Sequence, residues 1–159
     1  MGRLTPEKGL EYLVKAVNRL PQVTQVVIAG ASDHDDDYRK MLQQLDVSKK
    51  VVFTGFTTGE DLRQLYSHAR LFVLPSVNEG FPMVLLEAMA YGLPILCSDI
   101  PGTRQVDLPE QDYFTVKDVD SLCAAISRLL DAPSEPQHYD LEKYDWQSIA
   151  AITRRQYPV

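Results

Sequence analysis

The chain has 159 residues, of which 45% are hydrophobic and 24% charged, a composition typical of one globular domain. Its formal net charge of -6 argues against a general surface for nucleic acids or anionic membranes, but a few well-placed cations can still bind a phosphate locally. No apolar run is long enough to span a bilayer, and no signal peptide is visible. We therefore expect a cytoplasmic protein with buried, reduced thiols at Cys97 and Cys123. Any contact with a membrane, at its cytoplasmic face, would come from polypeptide outside this sequence.

Helices and short apolar strands alternate along the whole chain. The pattern predicts helices over 9–20, 38–45, from Thr58 onward, and over 81–91, 118–130 and 146–156, and strands over 24–30, 50–55, 71–75, 93–98 and 113–116. Continuous apolar strands are typical of a parallel sheet that is covered on both faces. The sequence 1–159 is thus predicted to form one doubly wound, Rossmann-like α/β domain with a mostly parallel sheet and helices on both faces. Because ligands bind beyond the carboxyl ends of such strands, one edge should collect Gly30, Gly55 and the segments 75–80 and 98–102.

The segment from Glu79 to Ala90 combines a loop, a glycine and the start of a helix. Gly80 allows close approach to the backbone, and Pro82 suits a first helical turn. The free N–H groups of that turn could hold a diphosphate. Glu79 and Glu87 could each accept bonds from two sugar hydroxyls, and Glu87 needs a partner in so apolar a segment. Either glutamate alone would be read as a solvated charge, but the pair favours binding.

The segment 2–9 places Arg3 and Lys8 around a glycine turn that opens a helix. Such turns usually follow a strand, so we expect the polypeptide to be part of something longer. Arginine offers a planar fork to phosphate oxygens and lysine a point charge. Alone, this segment would be read as a solvated basic turn. The topology, however, places it at the same edge as Gly80.

Several motifs occur together and in one order. They read Gly-Arg-Leu (2–4), Glu-Lys-Gly (7–9), Val-Val-Phe-Thr-Gly-Phe (51–56), Leu-Pro-Ser (74–76), Glu-Gly-Phe-Pro (79–82), Leu-Leu-Glu-Ala-Met-Ala (85–90) and Gly-Leu-Pro-Ile (92–95). With Tyr-Asp-Trp (144–146), they cover almost the whole chain. This set resembles the donor half of group 1 glycosyltransferases, the retaining enzymes of family 4, which have the two-domain GT-B fold.

The resemblance implies a role for each matching residue. Arg3 and Lys8 would contact the diphosphate of a nucleotide-sugar, Glu79 the sugar, and Glu87 the ribose. The remaining predicted contacts are Gly80, Phe81, Pro82 and Met83 with sugar and phosphate, Val84 and Leu85 near the ribose, and Gly2, Gly30, Gly55 and Phe56 around the phosphate turn and the base. No metal and no cofactor are expected, because Arg3 and Lys8 would replace the metal.

The implied activity is transfer of a sugar to an acceptor glycan or lipid with retention of configuration. An acceptor-binding domain would lie N-terminal to this chain, and the chain alone would be inactive. The sequence departs from the family at Gln105, where many members carry Glu, and near Asp112, where a glycine is usual. Two alternatives stay open: another GT-B enzyme, such as a nucleotide-sugar epimerase or a phosphorylase-like protein, and a non-catalytic nucleotide-binding module. No Gly-x-Gly-x-x-Gly follows a strand, which disfavours dinucleotides.

Overall fold

The computed structural model describes residues 2–31, 36–133 and 135–145, together with 147, 150 and 154. The strands are β1 (Val26–Ala29), β2 (Val51–Gly55), β3 (Phe72–Leu74), β4 (Ile95–Ser98) and β5 (Tyr113–Phe114), and the helices are α1 (Leu10–Arg19), α2 (Asp37–Leu45), α3 (Gly59–His68), α4 (Met83–Ala90) and α5 (Val119–Asp131). This alternation confirms the predicted Rossmann-like α/β fold. The predicted helix 146–156 falls largely outside the described residues.

All described strand pairs are parallel. β1 pairs with β2, and β3, β4 and β5 form a second group in that order. β4 is buried along its whole length, as predicted for a covered parallel strand. The prediction of a covered strand is wrong for β2, in which side chains alternate between partly buried and exposed. Val27 and Val52 pair in register and are both exposed, because they point to the same, partly uncovered face of the sheet.

Helix α1 joins the two groups of strands. Its Leu13 and Val17 pack in one cluster with Leu96 of β4, and Val26 of β1 and Val73 of β3 lie against the same cluster. Helix α5 packs beside α1 and begins at Asp118, whose carboxylate accepts bonds from the N–H groups of residues 120 and 121 at 2.9 and 3.0 Å. That bond pattern is the predicted N-cap.

Both cysteines are free thiols, but they differ in exposure. Cys97 is buried in β4, where burial raises the pKa of its thiol to about 12. The prediction that the thiol of Cys123 is also buried is wrong, because this residue is partly exposed. Cys123 lies on the side of α5 that faces α1, with its Sγ 3.7 Å from the carbonyl of Ala16.

The first residues of the chain extend the β1 ladder. The N–H of Gly2 donates to the carbonyl of Ala29 at 3.2 Å, and the N–H of Leu4 donates to that of Ala31 at 3.0 Å. Both partners advance by two residues, which is the pattern of a parallel pair. Residues of β1 and β3 line one mostly apolar groove of about 500 Å³. Polypeptide that continues upstream of Gly2 in the same direction would enter this groove.

We predict that a strand fused ahead of Gly2 stabilises the domain. A segment of about five Val and Ile residues would bury apolar area in the groove and raise the Tm by about 5 °C, a stabilisation on the order of 2 kcal/mol. Thermal unfolding followed by circular dichroism measures this. The control fusion carries proline at alternate positions, which removes the ladder N–H groups. Equal Tm values for the two fusions would contradict the prediction.

Candidate functional site

The turn that precedes α1 is docked on the loop after β3. The carbonyl of Glu7 accepts a bond from the N–H of Val77 at 2.8 Å. Gly9 has φ 60°, and a Cβ built there would lie 2.1 Å from the carbonyl oxygen of Pro75, so only glycine allows this approach. The turn therefore brings the Lys8 side chain over the carboxyl end of β3.

Lys8 forms an ion pair with Glu79 across this junction. Nζ of Lys8 lies 2.7 Å from Oε1 of Glu79, and the two side chains are 25% and 11% exposed. The hydroxyl of Ser76 donates to the same Oε1 at 2.7 Å. Such a partly desolvated pair interacts more strongly than a surface pair, because water screens it less. The structure thus brings together two of the residues for which the sequence predicts chemistry.

The predicted glycines converge at the ends of β1 and β2. The N–H of Gly30 donates to the carbonyl of Gly55 at 2.8 Å, and Gly30 also packs against the carbonyl of Gly2. Lys8 passes beside Gly2 on its way to Glu79, since a Cβ on Gly2 would lie 3.6 Å from Cε of Lys8. Arg3 is exposed in the same turn, and Phe56, directly after β2, is highly exposed. These contacts link the glycines to the ion pair.

Helix α4 begins at Met83, slightly later than predicted. Pro82 has extended backbone angles (φ -81°, ψ 90°) and is the N-cap residue, so it does not belong to the first turn. The first backbone bond into the helix is from the N–H of Leu85 to the carbonyl of Pro82, at 2.9 Å. Among the described residues, no acceptor is bonded to the N–H groups of Gly80, Phe81, Met83 and Val84. The start of α4 therefore presents the open backbone donors that the sequence predicts.

Two residues of this segment that the resemblance places at the ligand have buried side chains. Leu85, which was expected near a ribose, is fully buried in the core. Its side chain packs against the second group of strands because it lies on the inner side of α4. Pro82 is also buried. Phe81 and Met83, in contrast, are exposed beside Gly80.

Glu87 lies one turn into α4, and its partner is Tyr66. The Tyr66 hydroxyl donates to Oε2 of Glu87 at 2.7 Å. Tyr66 is buried and its ring stacks on that of Tyr91, with centroids 5.1 Å apart. Burial and then the bond to Glu87 raise the pKa of Tyr66, so the hydroxyl stays protonated as a donor. The sequence predicts a partner for Glu87 but does not identify it, because the two residues meet only when α3 packs against α4.

The segment after β4 adds contacts to the site that the sequence does not predict. The side-chain amide of Gln105 donates to the carbonyl of Gly80 at 2.7 Å. Gly102 packs against the backbone of Glu79, where a Cβ would lie 2.3 Å from the carbonyl oxygen. The sequence placed segment 98–102 at this edge, which is correct, but it carried no signal for these backbone contacts.

The described part of the chain contains no cluster of three or more His, Cys, Asp and Glu residues that could hold a metal ion. His68 instead hydrogen-bonds the carbonyl of Gln64 in its own helix, at 3.0 Å. The same described residues include no helix that is both long and apolar enough to cross a bilayer.

Comparisons with known proteins identify the family. A model of the family described as glycosyl transferases group 1 matches residues 1–146. An uncharacterized glycosyltransferase of Methanocaldococcus jannaschii is 36% identical in an alignment of 170 positions, which covers 100% of this chain and 44% of that protein. The chain therefore belongs to the group 1 glycosyl transferases, and it spans less than half the length of this relative.

Solved structures agree with this assignment. Sucrose-phosphate synthase of Thermosynechococcus elongatus matches with a TM-score of 0.77 at 28% identity, over 98% of this chain and 44% of that one. HepE of Anabaena, in complex with UDP, matches with a TM-score of 0.71 at 26% identity, over 82% of this chain and 38% of that one. HepE in complex with UDP-glucose matches with a TM-score of 0.73 at 25% identity and the same coverage. The Rossmann-like fold is thus that of one part of GT-B glycosyltransferases.

We predict that Lys8→Met destabilises the domain by about 1–3 kcal/mol, because it leaves the mostly buried carboxylate of Glu79 without its counter-charge. Urea unfolding measures this free energy. The control is Lys40→Met, whose ion pair with Asp37 at 3.1 Å joins side chains that are 64% and 75% exposed. That variant should change stability by less than about 0.5 kcal/mol. Equal losses in both variants would show that the Lys8 pair behaves as a surface pair.

Proposed function

We propose that, as a group 1 glycosyl transferase, this chain binds the nucleotide-sugar substrate of a reaction that transfers the sugar to an acceptor glycan or lipid with retention of configuration. The observation that carries the proposal is the Lys8–Glu79 pair at the carboxyl end of β3, beside the open N–H groups that start α4. One edge thus combines a cation, a carboxylate and backbone donors. A sugar diphosphate has phosphate oxygens that suit the cation and the backbone donors, and hydroxyls that suit the carboxylate.

The diphosphate would bind between the basic turn and the start of α4. Lys8 and Arg3 supply positive charge, and the N–H groups of Gly80, Phe81 and Met83 supply hydrogen bonds. Concentrated at one end of a helix, these groups stabilise charge that develops on a departing nucleotide. In this proposal they take the place of a metal ion, and no cofactor is needed. The UDP and UDP-glucose complexes of HepE support a ligand of this chemistry.

The two glutamates would bind opposite ends of the substrate. Glu79, whose carboxylate is held by Lys8 and Ser76, would face the sugar. Glu87, oriented by the Tyr66 hydroxyl, would accept bonds from the ribose hydroxyls. The glycines at the ends of β1 and β2, with the exposed ring of Phe56, would lie around the base.

Transfer would require a second domain. The chain covers less than half of the relative and of the solved structures reported above, so we propose that an N-terminal domain of a longer protein binds the acceptor and closes the site. The catalytic contribution of this chain would be leaving-group stabilisation and positioning. The chain alone should bind nucleotides weakly and transfer no sugar. The transferase names of the relatives favour transfer over epimerisation or simple nucleotide sensing.

Calorimetric titration with UDP, GDP and ADP tests the binding step. We expect one of them to bind the chain with a Kd on the order of 0.1–1 mM, and Lys8→Met to weaken that binding by about tenfold, because it removes a charge-assisted bond to phosphate. Lys40→Met is the matched control and should bind as the unchanged chain does. The absence of heat with every nucleotide at millimolar concentration would overturn the proposal.

Glu79→Gln in a full-length protein tests the role at the sugar. We expect turnover to fall by about 100-fold while nucleotide affinity is retained, because glutamine can still accept a bond from Lys8 but places no negative charge at the sugar. Glu60→Gln, at an exposed position of α3, is the control and should leave turnover unchanged. Unchanged turnover in Glu79→Gln would remove Glu79 from the reaction.

A further inference from the structure

We propose that Gln105 is a positioning residue, which sets the direction of the Phe81 N–H group beside Glu79. The inference rests on the proposed function in one respect: the N–H group donates to the sugar or phosphate only if the chain binds a nucleotide-sugar. Its structural basis is independent of any ligand. It lies in the contacts between the segment 98–105 and the loop 76–80.

The segment 98–105 holds the loop through successive contacts. The hydroxyl of Ser98 donates to the carbonyl of Ser76. Gly102 lies against the backbone of Glu79. The amide of Gln105 then donates to the carbonyl of Gly80 at 2.7 Å. The backbone of the loop is therefore held from one side at residues 76, 79 and 80.

The segment itself is rigidly built. The hydroxyl of Thr103, which is fully buried, donates to the carbonyl of Ser98 at 2.6 Å. The guanidinium of Arg104 binds both carboxylate oxygens of Asp99, at 2.7 and 3.0 Å, and also binds Glu110 at 2.6 Å. It lies 3.9 Å from the ring centroid of Tyr113. A segment fixed by so many bonds can impose its geometry on the loop.

The geometry of the peptide between Gly80 and Phe81 determines where the Phe81 N–H group points. The described peptide bonds include no cis bond, and in a planar trans peptide the C=O and N–H groups point in opposite directions. The bond from Gln105 to the carbonyl of Gly80 therefore turns the N–H of Phe81 away from the segment. That N–H has no acceptor within the described chain, and Phe81 is exposed. It is thus presented to a ligand beside Glu79.

The chemistry requires an amide at position 105. A glutamine NH₂ donates to a carbonyl, whereas an ionised glutamate only accepts and would repel the Gly80 oxygen. Gln105 and Gly80 are both exposed, so their bond adds little to the stability of the core. Loss of the bond should release the peptide between residues 80 and 81 without unfolding the domain.

The test compares Gln105→Met, which keeps the length of the side chain, and Gln105→Glu with the unchanged chain. Gln44→Glu, at an exposed position of α2, controls for the change of charge. The readout is amide ¹⁵N relaxation in the ligand-free chain. We expect order parameters of about 0.85 at residues 80 and 81 in the unchanged chain and in Gln44→Glu, and values below about 0.6 in both Gln105 variants. The order of α4 and the Tm should not change.

Titration with UDP, GDP and ADP supplies a second readout. We expect the affinity of the nucleotide that binds to fall by about three- to tenfold in the Gln105 variants. The change in the Phe81 amide shift on addition of that nucleotide should also become smaller. Gly102→Ala should act in the same way, because its φ of -66° suits alanine and only the contact with Glu79 resists the added methyl group.

The outcomes separate this inference from the proposed function. If no nucleotide binds the unchanged chain, the proposed function fails, and the order parameters still decide whether Gln105 positions the peptide. Unchanged order at residues 80 and 81 overturns the inference. Reduced order with unchanged affinity and an unchanged Phe81 response to nucleotide also overturns it, because the peptide would then be held for stability alone.

Discussion

The ion pair between Lys8 and Glu79 joins two segments that lie 71 residues apart in the sequence. One partner comes from the turn that opens α1, and the other from the loop between β3 and α4. The pair can form because Gly9 lets the turn approach the end of β3, and the Ser76 hydroxyl donates to the same carboxylate oxygen. The arrangement of the basic turn, the loop and the start of α4 therefore depends on one mostly buried carboxylate having one cation within reach.

The Rossmann-like fold determines which segments lie around this pair, whereas the side chains of those segments determine the chemistry. The carboxyl ends of parallel strands meet at one edge, so the short segments that follow β1, β2, β3 and β4 are brought together whatever their sequence. Glycines bring the backbones close, and polar side chains at the same edge are held by backbone groups. The exposed valines of β1 and β2 and the groove beside β3 mark the part of the sheet where burial is least complete.

Most of the fold and part of the site could be predicted from sequence. Helix α5 was predicted with its Asp118 cap, since capping depends on residues within one turn. Lys8, Glu79 and Gly80 were assigned to one edge, because the strand pattern determines which loops are neighbours. The sequence does not predict that the Leu85 side chain is buried, because the orientation of α4 about its axis depends on packing. The sequence carries no signal for the bonds of Tyr66 and Gln105, because each is made to a residue that is distant in the chain.

The ion pair has a further consequence for any anion that binds beside it. A free lysine side chain loses about 1.5–2 kcal/mol of rotamer entropy when a ligand fixes it. Lys8 is already confined between Gly2 and Glu79 before a ligand arrives, so most of that entropy is lost during folding and not during binding. The carboxylate acts as a template that preorganises the cation. A phosphate arriving at this edge would therefore meet a cation whose position the fold has already fixed.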